Sequence, residues 1–344
     1  METLAARVMD ACCDLLVVPS VVGHEAVLLD HLAARLRRPG LEIIRHPHAL
    51  EVSGGDPTAP ILSAHADRHG LIADGSGALQ YAAFVVKRLR DHEDPPGSRA
   101  FLERIAERFI GEEVHAFDPR TGSTMGSGRV DRSWLCPIRD NLAFRVPGLT
   151  RLPEGTPVRY DAACEVGEES LSGQLDNVLG VALGVVLVEE GFRGRIVFTC
   201  EEEAGMSWKH LLDALAGTPP SRRLLVLDTS PFPEDAEGGL PEVVLRRRDG
   251  NGRFAGAITE EVIEACGALG LTHVIKDEWV ERTTPPGETP NLGRTELGRV
   301  VRETGGAWNG TTVQIPTVGY HTNRERAEAR AVVGVYALLE HLLG

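Results

Sequence analysis

The chain has 344 residues, 42% hydrophobic and 25% charged, an ordinary globular composition long enough for a large domain carrying a smaller one. Its formal net charge of −14 repels phosphate backbones and anionic lipid, which argues against nucleic acid or a membrane surface as partner and suits a protein that holds divalent cations. No apolar run approaches a membrane span, and no basic segment precedes an apolar one in the opening stretch, so the expectation is a cytoplasmic protein without a secretory signal.

Helical periodicity runs over Glu2–Leu16 and Glu25–Leu36, with the turn-like Pro19-Ser20-Val21-Val22-Gly23 between them. The compact apolar run Ala59–Ala64 then predicts a buried strand leading straight into His65. From Gly75 to Gly167 the chain breaks into short strands, Gly and Pro, with one charged helical stretch over Ser98–Arg108. Residues 75–167 therefore read as a small β-rich domain inserted into a larger one made of residues 1–74 and 168–344. Beyond the insertion, strands at Gly194–Cys200, Arg223–Leu227 and Thr311–Ile315 alternate with helices over Asp176–Glu190, Trp208–Ala216, Thr259–Leu269, Thr295–Glu303 and Arg324–Leu343. Such alternation predicts an α/β fold, with helices on both faces of a mixed, largely parallel sheet.

Six cysteines (Cys12, Cys13, Cys136, Cys164, Cys200 and Cys266) have the spacing of neither a zinc ribbon nor a small disulfide framework. They are expected to be reduced, small core residues.

The residues that can carry chemistry share one placement, just past the carboxyl end of a predicted strand. His65 and Asp67 follow the first strand, Glu202 and Glu203 the second, Asp228 the third, and His321 comes shortly after the last. Ligands of open α/β sheets bind outside those strand ends, so distant segments can converge there. Asp176 opens a long helix and adds a carboxylate, unless it serves only as that helix's N-cap. Singly, each signal is weak: Asp228 could be a turn residue and His321 could cap the final helix. Together they make a metal-ligand set.

Zinc takes imidazole nitrogen and carboxylate oxygen, and two metals about 3.5–4 Å apart can share a bridging carboxylate. Two dications bring four positive charges; Asp176, Asp228 and Glu203 bring three negative ones, and a hydroxide the fourth. His65 and His321 would bind as neutral imidazoles, and Asp67 can orient His65 through its other ring nitrogen. Glu202 is left free to take a proton from water and pass it to a leaving amine.

At these residues the sequence resembles the M42 metallo-aminopeptidases, the glutamyl-aminopeptidase and TET group. The family's His-x-Asp-x-x-Gly is matched by His65, Asp67 and Gly70, its Leu-Asp-Asn by Leu175-Asp176-Asn177, and its Glu-Glu-x-Gly by Glu202-Glu203-Ala204-Gly205. Its strand-ending Asp is matched by Asp228, its late Ile-Pro-Thr-x-x-x-His by Ile315-Pro316-Thr317 and His321, and its N-terminal Ser-Gly-Tyr-Glu type turn is echoed by Val22-Gly23-His24-Glu25. The resemblance implies two divalent ions per subunit (zinc, with cobalt or manganese as alternatives). One would lie on Glu203 and His321 and the other on His65 and Asp228, with Asp176 bridging and Glu202 as general base. It also implies a small peptide substrate and a cytoplasmic homo-oligomer built from dimers, up to a dodecamer, assembled through the insertion. This chain departs from the pattern at Arg68 and His69, at Arg294-Thr295-Glu296-Leu297 and at Val318-Gly319, positions that bear on substrate and oligomer size.

His46-Pro47-His48 reads as a loop with no metal, and Arg246-Arg247-Arg248 as a surface or interface run. Gly126-Ser127-Gly128 and Gly250-Asn251-Gly252 read as turns with no phosphate-binding fingerprint. The rival readings are a di-zinc carboxypeptidase or deacylase of the M20 or M28 kind acting on a blocked dipeptide, and a non-catalytic assembly protein on the same fold.

Overall fold

Apolar runs that alternate their side chains between two faces need a cover on each, and the central strands are built that way. The computed structural model describes residues 4–83, 99–136, 141–161, 164–236 and 239–343. Four parallel strands form its centre, in the order Arg195–Thr199, Ile61–His65, Leu224–Pro231 and Gly310–Val318. Along Leu224–Pro231, Leu225 and Leu227 enter one core while Leu224 and Val226 enter another. The helices Leu4–Leu16, Val178–Glu189, Gly256–Leu269 and Ala329–Leu343 pack on the first face; Ser207–Ala214 and Glu296–Glu303 pack on the second. The α/β layer expectation is met, with helices on both faces.

Antiparallel strands flank this centre. The hairpin Glu42–His46 and Ala49–Ser53 pairs beside Arg195–Thr199, and Glu325–Glu328, Ser170–Gly173 and Glu165–Val166 extend the other side. Sequence periodicity predicts a helix from Arg324, but Glu325–Glu328 is a strand and the helix begins at Ala329. The reason is pairing: Ala327 lies opposite Thr317 on one side and Leu171 on the other. The alternation in Glu-Arg-Ala-Glu buries Glu325 and Ala327, and a buried glutamate does not look like a strand signal in sequence.

A second, seven-stranded antiparallel sheet is built wholly from strands between Gly70 and Tyr160. Tyr81, Phe109, Phe144 and Tyr160 fill its core, against the helix Arg99–Glu107. Residues 84–98, including the start of the expected charged helix at Ser98, lie outside the described residues, as does Glu2 of the first helix. Among the described residues no helix is long and apolar enough to cross a membrane.

One expectation about cysteine is overturned. Cys13 and Cys164 form a disulfide, with Cα atoms 5.5 Å apart, between the first helix and the segment that re-enters the large sheet. The two are 151 residues apart in sequence, so spacing holds no sign of the pairing. Cys12, Cys200 and Cys266 are free, buried thiols as expected.

Candidate metal centre

Parallel register brings the chemical residues together. His65 ends its strand opposite Thr199, so Glu202 and Glu203 leave the neighbouring strand just beyond it. On the other side Leu227 pairs with Ala64, which sets Asp228 alongside His65; Asp228 lies within its strand rather than in a turn. His321 follows the next strand by three residues and is too early to cap the final helix. The helix from Val178 is capped by Asn177, whose Oδ1 accepts the Gly180 N–H at 3.1 Å, so Asp176 is not spent on capping.

The carboxylate of Asp176 lies between two imidazoles. Its Oδ1 is 3.3 Å from His65 Nε2 and its Oδ2 is 3.1 Å from His321 Nε2. His65 Nε2 is also 3.5 Å from Asp228 Oδ1, and His321 Nε2 is 3.8 Å from Glu203 Oε1. Ligand-type atoms of His65, Asp176 and Asp228 lie within 4.8 Å of one another, and so do those of His69, Glu203 and His321.

Fully buried Asp67 lies beside the ring it was expected to orient and also holds main chain. Its Oδ1 is 3.5 Å from His65 Nδ1, and its two oxygens accept the backbone N–H groups of Glu202 and Glu203 at 2.9 Å each. Two further residues were not legible as site residues. Glu325, fully buried, accepts the backbone N–H of Asp176 at 2.7 Å and that of His321, and so fixes two of the facing groups. His69, 2% exposed, places Nε2 at 2.5 Å from Glu203 Oε2 and Nδ1 against the Tyr81 hydroxyl. The second sheet thus supplies Tyr81 to this site, and the Arg108 guanidinium next to that sheet's helix lies 3.4 Å from His321 Nδ1.

The electrostatics are those of an anionic cavity. Burial pushes the Glu203 carboxyl up to about 8, and burial with neighbouring carboxylates raises Glu202, Asp228 and Glu325. Burial alone would lower His65, but contacts with Asp176, Asp228 and Asp67 outweigh it and raise it; against the same penalty, His321 and His65 hold Asp176 low. Asp176 Oδ1 and Glu203 Oε1, both facing this cluster, are buried with no hydrogen-bond partner among the described residues. Orphaned buried donors and acceptors of this kind normally have a partner, and imidazole plus carboxylate is the donor set of zinc, cobalt and manganese. The residues fit two divalent cations.

Beside Asp228 opens a pocket of about 310 Å³ lined by Arg246, Lys276, Arg294, Gln314 and Tyr320. Arg246 was expected at the surface with its two neighbours. Instead it is buried, donating to Gln314 Oε1 at 2.8 Å and the Leu292 carbonyl at 2.6 Å, while Arg247 and Arg248 pair outside with Glu260, Glu278 and Glu281. Lys276 is buried against the rings of Phe232 and Trp279, its Nζ 3.5 and 4.4 Å from their centroids, and donates to the Pro231 carbonyl at 2.5 Å. Burial and nearby Arg246 bring its ammonium down to about 7.

The histidines of His46-Pro47-His48 part company. His46 faces Glu51 at 3.3 Å, while His48 stacks on His210 at 4.5 Å and forms a further ligand-type group with His210 and Glu201.

No protein-family model matches the chain, and no curated protein sequence matches it. Solved structures match along almost its whole length. An aminopeptidase from the archaeon Desulfurococcus kamchatkensis superposes with a TM-score of 0.72 at 14% identity, covering 99% of this chain and 95% of that one. A TET aminopeptidase from a marine sediment archaeon of the Thaumarchaeota gives 0.71 at 16% identity, over 98% and 96%. The Pyrococcus horikoshii TET1 peptidase, which can assemble into a tetrahedron or a large octahedral shell, gives 0.69 at 16% identity, over 98% and 99%. The fold of this chain is that of the TET aminopeptidases.

Proposed function

We propose that the chain is a divergent M42 metallo-aminopeptidase that uses two divalent metal ions, zinc first among them, to remove acidic residues from the free N-termini of short peptides. What carries this reading is Asp176, whose two oxygens face His65 on one side and His321 on the other at 3.3 and 3.1 Å. His65, Asp228 and Asp176 would hold one ion; Glu203, His321 and Asp176 would hold the other. Such ions polarise a carbonyl oxygen and lower the pKa of water. Glu202 takes a proton from the attacking water as the new C–O bond forms. It returns that proton to the amine nitrogen as the C–N bond breaks. Asp67 acts through others, holding the Glu202-Glu203 main chain and His65 in place.

The acidic preference rests on the pocket beside Asp228. Arg246, Lys276 and Arg294 set three basic side chains around one cavity, with Gln314 and Tyr320 completing its polar wall. A carboxylate entering there gains charge-assisted hydrogen bonds in a desolvated site. We further propose a cytoplasmic homo-oligomer joined through residues 75–167.

The test is a panel of aminoacyl chromogens with the metal-depleted and reloaded protein. Activity should vanish with a strong chelator, return with zinc, cobalt or manganese, and favour glutamyl and aspartyl over leucyl and lysyl substrates. Lys276 must be protonated to hold a carboxylate, and in the free protein it loses its proton near pH 7. A bound anion raises that value, so acidic substrates bind better below it, and their KM should rise as pH climbs through about 7. Lys276→Met should flatten that profile. Full activity without metal would sink the two-metal reading, and a preference for acetylated substrates would move the chain to the deacylase class.

A further inference from the structure

We infer that His69 is itself a metal ligand, so that the position at Glu203 is held by two imidazoles rather than one. The inference rests on the two-metal reading above and adds a ligand to it. His69 Nε2 lies 2.5 Å from Glu203 Oε2, and its ring packs on that of His321 with centroids 3.9 Å apart. One donor atom from each of His69, Glu203 and His321 falls within 4.8 Å of the other two. Donors on a tetrahedral zinc, with bonds of about 2.0–2.2 Å, sit roughly 3.3–3.6 Å apart, so small side-chain rotations close the set.

The alternative is that His69 only donates a hydrogen bond to Glu203. Its surroundings favour ligation. A metal-bound imidazole uses its second nitrogen on an outer partner, and His69 Nδ1 meets the Tyr81 hydroxyl. Glu203 keeps Oε1 buried without a hydrogen bond despite the His69 contact, so that contact does not satisfy the carboxylate. The main chain around His69 is pinned on both sides. Its carbonyl accepts from Gln174 Nε2 at 2.8 Å, two residues from Asp176. The preceding Arg68 is buried and donates to the Ser20 hydroxyl at 2.8 Å and the Leu16 carbonyl at 3.0 Å. Fixed side chains on a rigid strand entry are what a ligand position requires.

The consequence is inequality between the two ions. One position would have two nitrogens and two carboxylates from the protein, a complete tetrahedral set; the other, at His65, Asp228 and Asp176, would have three protein donors, the count that leaves a place open. Added imidazole also shifts preference toward zinc, cobalt and copper over manganese.

The test compares the wild-type chain with His69→Ile and His69→Gln, the second to guard against misfolding in a buried site. Each is depleted, titrated with Zn2+ against a chromogenic chelator, and loaded with one equivalent of Cu2+ for pulsed electron paramagnetic resonance, which counts coordinated imidazoles. Wild type should show one tight and one weaker zinc, and two imidazoles on the tight copper. In both variants the tight zinc should weaken by more than about 100-fold, beyond the roughly 10–100-fold that an outer-shell partner is worth, and one imidazole signal should vanish. Two bound ions with the imidazole count unchanged in the variants would overturn the role of His69 and leave the two-metal reading standing. A wild-type chain that takes up no metal would overturn both.

Discussion

Glu202 and Glu203 are the same residue type, adjacent, and held by the same Asp67, yet they meet different neighbours. Glu203 is buried against His69 and His321, while the Glu202 carboxylate has no imidazole within ion-pair distance among the described residues. Glu202→Gln keeps size and hydrogen bonding and removes the base, so bound metal and fold should persist while turnover falls by about 10²–10⁴. Glu203→Gln removes a charged donor, so metal should be lost and activity partly restored by excess metal. Elemental analysis beside turnover decides it, and metal loss confined to Glu202→Gln would reverse the two roles. These residues, with His65, Asp67, Asp176, Asp228 and His321, stand out in sequence because each is a polar residue next to an apolar strand or helix. His69 and Glu325 do not. His69 sits between an arginine and a glycine and becomes notable only because the Gly70 strand turns its ring toward His321. Glu325 acts on main-chain N–H groups, which leave no trace in residue identity.

At the scale of elements, the same strands that carry the site also set how closely its pieces approach. Leu224–Pro231 and Gly310–Val318 run in register from Leu224 opposite Gly310 to Pro231 opposite Thr317. A Cβ on Gly310 would fall 1.9 Å from the Leu224 carbonyl oxygen, a backbone atom that cannot rotate away. Gly310→Ala should therefore part the strands and destabilise the chain by at least about 1–3 kcal/mol, the usual range for overpacking. Gly267, in the helix Gly256–Leu269, has open space around its Cβ position, so Gly267→Ala should instead stabilise by about 0.5–1 kcal/mol. Urea midpoints measure both, and equal effects of like sign would show that close approach at Gly310 is not what holds this register. The parallel strands were legible as compact runs of apolar or β-branched residues. The hairpin Glu42–His46 with Ala49–Ser53 was not: its outer strand is largely exposed, and Glu42, Arg45 and His46 leave it without a compact apolar run.

At the scale of the molecule, the two sheets end differently. The seven-stranded sheet runs from Thr124–Arg129 at one edge to Arg132–Cys136 at the other, and both edge strands are mostly exposed. Met125 is 46% exposed, and the neighbours Trp134 and Leu135 are 37% and 39% exposed. Successive residues of a strand point to opposite faces, so Trp134 and Leu135 place apolar surface on both sides of one edge. Among the described residues no strand pairs with the outer side of Arg132–Cys136, and an unpaired edge with apolar flanks is a template for another chain. A second copy of this chain is the occupant that fits the homo-oligomer proposed above. Light scattering should therefore give a species larger than one chain of 344 residues. Trp134→Glu combined with Leu135→Lys should reduce that size, while metal bound per chain stays the same because neither residue touches the metal centre. A wild-type monomer at working concentration, or a double variant that assembles as before, would remove this edge from the assembly.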